Sequence, residues 1–243
     1  MTLGQQGSIT LGFDEGLVLA DGPGEDFIVF ENPFIITTVP GSMGLTFAEL
    51  LRVQVSSNGT DFAEFPTWCD AADPGYPFGG IDPSQVSGFA GVTPVCADAD
   101  DPSNPFDPFD PSEAGGDAFD LNALQEEVLD GRVDLDEIRY IRLVDVLGDG
   151  TESDTQGNPV YDAWGWFDMY SPDMSEQRYL PASADVDAIS VIHGEPDPHD
   201  QRVPGDADKD GDVDSGDYGR GSSGLIGVPA PTDKCHRSLL GAA

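Results

Sequence analysis

The chain has 243 residues and a formal net charge of −36, set by 46 acidic against 10 basic side chains. A surface of that sign repels nucleic acid and anionic lipid, which makes both poor partners. No apolar stretch reaches the length of a membrane span. Asp outnumbers Glu by 34 to 12. Asp is the short-armed turn former and ligand of hard cations, so the bias points to calcium sites and loops, although a saline habitat fits the same composition.

The opening Met1-Thr-Leu-Gly-Gln-Gln-Gly7 lacks the charged start and apolar block of a signal peptide. Export information has therefore been removed or lost, or the chain begins inside a longer gene product. Strands are expected at Ser8-Ile-Thr-Leu-Gly-Phe13, which alternates, and at Asp26-Phe-Ile-Val-Phe-Glu31, after the turn Asp21-Gly-Pro-Gly24. Leu50-Leu-Arg-Val-Gln-Val-Ser56 and Asp61-Phe-Ala-Glu-Phe65 flank Asn58-Gly59, a strong hairpin signal. Asn58-Gly-Thr60 also fits a glycosylation sequon, but the turn explains it better.

Residues 66–118 read as loop, dense in Pro, Gly and Asp, and include the low-complexity run Asn104-Pro-Phe-Asp-Pro-Phe-Asp-Pro111. A short helix is expected within 122–130. The clearest strand is Ile138-Arg-Tyr-Ile-Arg-Leu-Val-Asp-Val146, and after Trp164-Gly-Trp-Phe167 the segment Ala184–Ile192 closes the set. Many short strands with almost no helical period argue for an all-β, antiparallel β-sandwich with long loops. The expected layout is a sandwich over 1–194, a linker over 195–204, a calcium loop over 205–218 and a flexible tail over 219–243. In the tail, Gly219, Gly221, Gly224 and Gly227, then Pro229 and Pro231, oppose a helix.

The calcium loop is Asp206-Ala-Asp208-Lys-Asp210-Gly211-Asp212-Val213-Asp214-Ser-Gly-Asp217. Asp206, Asp208, Asp210, Asp214 and Asp217 stand at loop positions 1, 3, 5, 9 and 12. Gly211 makes the sharp turn at position 6, and Asp212 supplies its carbonyl at position 7. The cofactor expected is Ca2+. A solvated acidic linker is the plainer explanation, and the alternating register argues against it.

A second calcium region is expected from acids at strand ends and in loops: Glu31, Asp145, Asp149, Asp185 and Asp187, with Asp154 nearby. The alternative is that Asp145 and Asp187 end strands and meet Arg139 or Arg142. Trp68, Trp164 and Trp166 offer flat faces for sugar rings, although aromatics at this density more often pack. Cys69 and Cys96 are candidates for a disulfide or for reduced thiols, and Cys235 stands alone.

Catalysis has little support, and the chain is not read as an enzyme. His193, His199 and His236 lie in or near linkers, with no zinc spacing. There is no Gly-x-Ser-x-Gly elbow and no phosphate-binding glycine loop. Carboxylates are too abundant for a glycosidase pair to stand out.

Pro204-Gly-Asp-Ala-Asp-Lys-Asp-Gly-Asp-Val-Asp-Ser-Gly-Asp-Tyr218 resembles one calcium repeat of a dockerin, over about fifteen residues. A dockerin has two repeats, each followed by a helix. Here a glycine-rich stretch follows and there is no second loop, so the resemblance implies calcium ligation without cohesin docking. Residues 7–193 resemble a family of exported bacterial cell-surface proteins frequent in planctomycete-like genomes. The matching blocks are Gly7-Ser-Ile-Thr-Leu-Gly-Phe-Asp14, Gly22-Pro-Gly-Glu-Asp-Phe-Ile-Val-Phe-Glu-Asn32, Phe47-Ala-Glu-Leu-Leu-Arg-Val-Gln-Val-Ser56, Gly88-Phe-Ala-Gly-Val-Thr-Pro94, Gly115-Gly-Asp-Ala-Phe-Asp-Leu121 and Asp185-Val-Asp-Ala-Ile189. Family members usually carry a further stretch before the Ser-Ile-Thr-Leu block, which implies an N-terminally incomplete domain here.

Val53-Gln-Val-Ser-Ser-Asn-Gly-Thr-Asp-Phe62 is also similar to a hairpin of discoidin, galactose-binding-like sandwiches. Together these resemblances imply an extracellular or cell-surface, jelly-roll-like calcium-binding module whose partner is a carbohydrate or a surface protein. An accessory role in polysaccharide degradation is the alternative, and a glycoside hydrolase a more distant one.

Overall fold

Alternation decides the central strand. In Leu51–Ser56 the side chains of Leu51, Val53 and Val55 are buried, while Arg52 and Gln54 on the opposite face are only half-buried. Tyr140–Asp145 alternates in the same way, with Ile141, Leu143 and Asp145 inward. The two strands pair antiparallel, with Leu143 opposite Val53 and Ile141 opposite Val55, so their inward rows coincide. This computed structural model describes residues 1–13, 16–38, 40–75, 79–98, 101, 103–124, 130–167, 179–181, 183–198 and 225–227, with backbone alone for 164–167, 179–181 and 225–227.

The first sheet runs Ser8–Gly12, Tyr140–Asp145, Leu51–Ser56, Phe89–Ala90, and Ala63–Glu64 also pairs with Leu51–Ser56. The last pairing is the hairpin expected around Asn58. Its loop is held by Ser56 Oγ, which accepts from Gly59 N–H at 2.8 Å, and by Asn58 Oδ1, which accepts from Thr60 N–H at 2.8 Å. The second sheet runs Asp117–Phe119, Phe27–Phe30, Ala188–Val191, Leu225–Gly227, again antiparallel.

The two sheets share one core. Phe27, Val29 and Ile189 of the second sheet join Leu51, Val53, Val55, Ile141 and Leu143 of the first. Phe27 stacks on Phe119 with centroids 5.3 Å apart. Ile28 and Phe30 point the other way, against Ala114 and Ala188. Phe27–Phe30 is thus covered on both faces, which is why it reads as an unbroken apolar run. Each aliphatic or aromatic side chain fully buried here contributes roughly 1.5–3 kcal/mol.

Among the described residues the helices are three short 3-10 turns, Pro83–Gln85, Leu121–Leu124 and Leu135–Glu137. The helix expected in 122–130 is therefore only a 3-10 turn where it is described, and 125–129 lie outside the described residues. The segment 66–118 is not all loop. It carries the antiparallel pair Trp68–Cys69 with Val86–Ser87, and the edge strand Phe89–Ala90.

Within the segment expected as a flexible tail, Leu225–Gly227 pairs with the open edge of Ala188–Val191, and the other residues of 219–243 lie outside the described residues. An apolar Leu-Ile pair supplies the partner that this edge otherwise lacks. The calcium loop over 205–218 lies outside the described residues. No helix among the described residues is long and apolar enough to cross a membrane.

Candidate metal centres

Two loops, 20–26 and the turn at Asp120, bring Asp21, Asp26 and Asp120 together, each offering a carboxylate oxygen within 4.8 Å of the others. Asp26 is fully buried at the head of Phe27–Phe30. Its Oδ2 accepts from Leu121 N–H at 2.7 Å, and its Oδ1 accepts from Gly22 N–H at 2.7 Å and faces His193 Nδ1 at 2.8 Å. Gly22 has to be glycine, because a Cβ there would collide with the His193 ring. Asp21 Oδ1 is buried without a hydrogen-bond partner. Burial, then the charges of Asp26, Asp120 and Asp136, push the Asp21 carboxyl up, while His193 pulls it down. Composition and spacing did not single out these three aspartates.

A second, deeper acidic centre lies where the two sheets end together. Three consecutive backbone N–H groups each hold a different carboxylate. Ser183 donates to Glu49 Oε1 at 3.1 Å, Ala184 to Asp145 Oδ1 at 2.9 Å, and Asp185 to Glu31 Oε1 at 2.8 Å. Asp145 Oδ2 also accepts from Gln6 N–H at 2.8 Å. Beside them Asp162 Oδ2 accepts from Leu50 N–H at 3.2 Å. Glu31, Asp145 and Asp162 are exposed by only 1%, 2% and 1%. Gly148, at φ +65°, leaves room for the Asp162 carboxylate, which a Cβ would strike.

Burial raises every carboxyl for which a shift is resolved in this centre. Glu31 is pushed well above its ordinary value by burial and by the Glu49 charge, against the N–H groups of Asp185 and Asn32. Glu49 rises to about 8 through burial and the Asp185 charge. Asp162 is pushed well up by burial, against the Leu50 N–H, and by the charges of Asp145, Glu49 and Glu152. Asp145 rises through burial despite the Ala184 and Gln6 N–H groups.

Of the acids expected as a second calcium region, the structure brings together Glu31, Asp145 and Asp185. Asp187 stands beside Asp185 with Oδ1 buried and unpartnered. Asp149 does not join them. Its Oδ1 accepts from Thr151 N–H at 2.9 Å in a local turn. Asp154 does not either, since its carboxylate holds Cys69 N–H at 2.9 Å together with Gln156 and Asn158. Glu49 and Asp162 are the members that sequence reasoning missed. Both stand next to short apolar segments, the same strand-end signal that marked Glu31.

The arginines expected as the alternative partners are engaged elsewhere. Arg139 pairs with Asp197 and Glu137. Arg142 lies 3.5 Å over the Phe62 ring and donates to Thr10 Oγ1. Trp68 is half-buried in the Trp68–Cys69 strand, whereas Trp164 and Trp166 lie on Trp164–Phe167, which pairs with Tyr179–Pro181. The structure thus places Trp68 on a different element from Trp164 and Trp166. Cys69 and Cys96 are not joined to each other. Cys69 packs among Ala48, Leu50 and Val86, while Cys96 lies beside Ala114 on the outer face of the second sheet, so the disulfide is not formed.

A cleft of about 380 Å³ opens beside the first aspartate group, walled by Phe65, Pro83, Phe89, Asp117 and Asp120. Asp117 is held in it by the N–H groups of Val92 at 2.9 Å and Thr93 at 3.1 Å. Asp120 belongs both to the cleft wall and to the carboxylate group. No family model matches the chain, and no curated protein or solved structure shows significant similarity to it.

Proposed function

We propose that this protein is a calcium-binding extracellular or cell-surface module. Its sandwich, of the galactose-binding-like kind, makes calcium-dependent contact with a carbohydrate or a surface protein. The observation that carries the reading is the convergence of Asp21, Asp26 and Asp120 within 4.8 Å, in a chain of net charge −36. Oxygen-only donors of this kind suit calcium rather than a soft or nitrogen-seeking metal.

The loop Asp206–Asp217 supports the same ion by its register alone. The cleft that shares Asp120 supports a ligand held next to the ion. Exposed Phe34, Ile35 and Met43, on and beside the hairpin of Phe34–Ile35 with Thr46–Phe47, support contact with a surface. The second reading, an accessory part of a polysaccharide-degrading system, uses the same cleft with the chemistry on other chains.

Calcium titration calorimetry on the whole chain tests the proposal. Asp21→Asn with Asp120→Asn should remove one site, and Asp206→Ala with Asp210→Ala another, with magnesium a poor substitute. Calcium binding unchanged in both double variants, or absent from the parent, overturns it.

A further inference from the structure

We propose that Glu31 and Glu49, with Asp145, Asp162 and Asp185 around them, hold a further divalent cation of the calcium class that clamps one end of the two sheets together. The site is built from both sheets. Glu31 follows Phe27–Phe30 and Asp185 precedes Ala188–Val191 in the second sheet. Glu49 precedes Leu51–Ser56 and Asp145 ends Tyr140–Asp145 in the first. Each antiparallel register sets two ends side by side within its sheet, Ala188 opposite Phe30 and Asp145 opposite Leu51. The consecutive N–H groups of Ser183, Ala184 and Asp185, bonded to Glu49, Asp145 and Glu31, tie the two pairs together.

Among the described residues no cationic side chain compensates this charge. Arg52 pairs with Glu64 and Glu152, Arg132 with Asp130, and Arg139 with Asp197 and Glu137, while Arg142 sits on Phe62. None forms an ion pair with the five acids. Buried carboxylates in proteins are paired or coordinate metals, because an isolated buried charge is strongly unfavourable.

The second observation is independent of charge. Backbone N–H groups position Glu31 and Asp162 through one oxygen each, and the other oxygens, Glu31 Oε2 and Asp162 Oδ1, are buried with no hydrogen-bond partner. Ser183 Oγ, next to the Glu49 contact, is also buried and unpartnered. Orphaned oxygens on side chains that are 1% exposed call for a missing ligand. A proton shared between Glu31 and Glu49 would offset one charge. A divalent cation offsets two and takes the six to eight oxygens that calcium accepts, without the strict octahedron of magnesium. No His or Cys belongs to the group, which excludes a zinc-type donor set.

The proposal rests on the calcium reading only for the identity of the ion, and the test separates the two. Bound calcium is counted, and melting temperature followed, for the full chain and for Glu31→Gln and Glu49→Gln. The clamp predicts one ion fewer in either variant and the loss of most of the calcium-dependent rise in melting temperature. In chelator the same variants should melt no lower than the parent, because each removes a buried like charge. Unchanged stoichiometry, with equal gains in calcium and in chelator, overturns the clamp while leaving the Asp21 group and the Asp206 loop standing. Crystals soaked in a lanthanide give a second readout. An anomalous peak about 2.3–2.6 Å from Glu31 Oε2 is expected, and a peak at Asp21 and Asp26 with none at Glu31 contradicts the clamp.

Discussion

The backbone N–H of Asp185 donates to Glu31 Oε1 at 2.8 Å, joining residues 154 positions apart. The pairing of Ala188–Val191 with Phe27–Phe30 forces the approach, since both residues stand just beyond the paired ends. The bond orients the Glu31 carboxylate and leaves its other oxygen buried without a hydrogen-bond partner. With the Glu49 charge raising it beyond the effect of burial, a group so placed is held for something other than its own stability.

Metal-free protein should lose stability as pH rises. Burial and neighbouring charge lift Glu49 to about 8, and lift Glu31 and Asp162 well above ordinary values. A folded-state value above the unfolded one means that the native state binds more protons. This contribution is full below about pH 4, the unfolded carboxyl range, and is lost as pH climbs toward the raised folded values. In chelator, the melting temperature at pH 8 should be lower than at pH 5.5. Calcium, which selects the ionised carboxylates, should offset the fall. A chelated protein that melts higher at pH 8 contradicts these assignments.

Asp154 titrates with the opposite sign. Burial pushes its carboxyl up, but bonds from Asn158, Cys69 N–H and Gln156 N–H pull it down to about 2. Its stabilising effect is present above about pH 4 and is lost as pH falls toward that value. Asp154→Ala leaves the Cys69 N–H without its partner and should cost about 1–3 kcal/mol in urea denaturation at neutral pH. Calcium stoichiometry should not change, because the residue staples a loop and holds no ion.

Core position and exposure separate two phenylalanines. Phe27 is fully buried between the sheets and packs on Phe65 and Phe119. Phe27→Ala should cost about 3–5 kcal/mol. Phe34 is 49% exposed, although it stacks on Phe47 with centroids 4.9 Å apart. Phe34→Ala should stay within about 1 kcal/mol while weakening any surface attachment. Equal losses for the two in chemical denaturation would contradict the shared core.

The two described thiols should differ in reactivity. Cys96 is partly exposed and Cys69 is 2% exposed. Peptide mapping after brief alkylation of native protein should find Cys96 modified and Cys69 protected until denaturant is added. A Cys69–Cys96 cross-link in non-reduced digests would overturn the separate placement of the two side chains.

Strands were legible where side-chain period decided them. Val53 and Val55 alternate with Arg52 and Gln54, and Phe27–Phe30 forms a short apolar run, so local pattern and tertiary burial agree. Leu225–Gly227 was not legible, because among glycines and prolines only the free edge at Ala188–Val191 makes it a strand. In the acidic centre, Glu31, Asp145 and Asp185 could be marked as strand-end acids. Glu49 and Asp162 carry the same local signal, but only long-range contacts with Ser183 and Leu50 bring them to the group. Asp21 and Asp26 share the 20–26 loop, but Asp120 comes from a distant turn that no spacing rule connects to them.

Thermal unfolding of the full chain in calcium, in magnesium and in chelator tests calcium binding most directly. An ion held only by the folded state stabilises it by about 2.7 kcal/mol per site at a hundredfold excess over Kd. The melting temperature should therefore rise in calcium relative to chelator, and far less in magnesium. Identical melting curves in all three solutions contradict a calcium-binding protein.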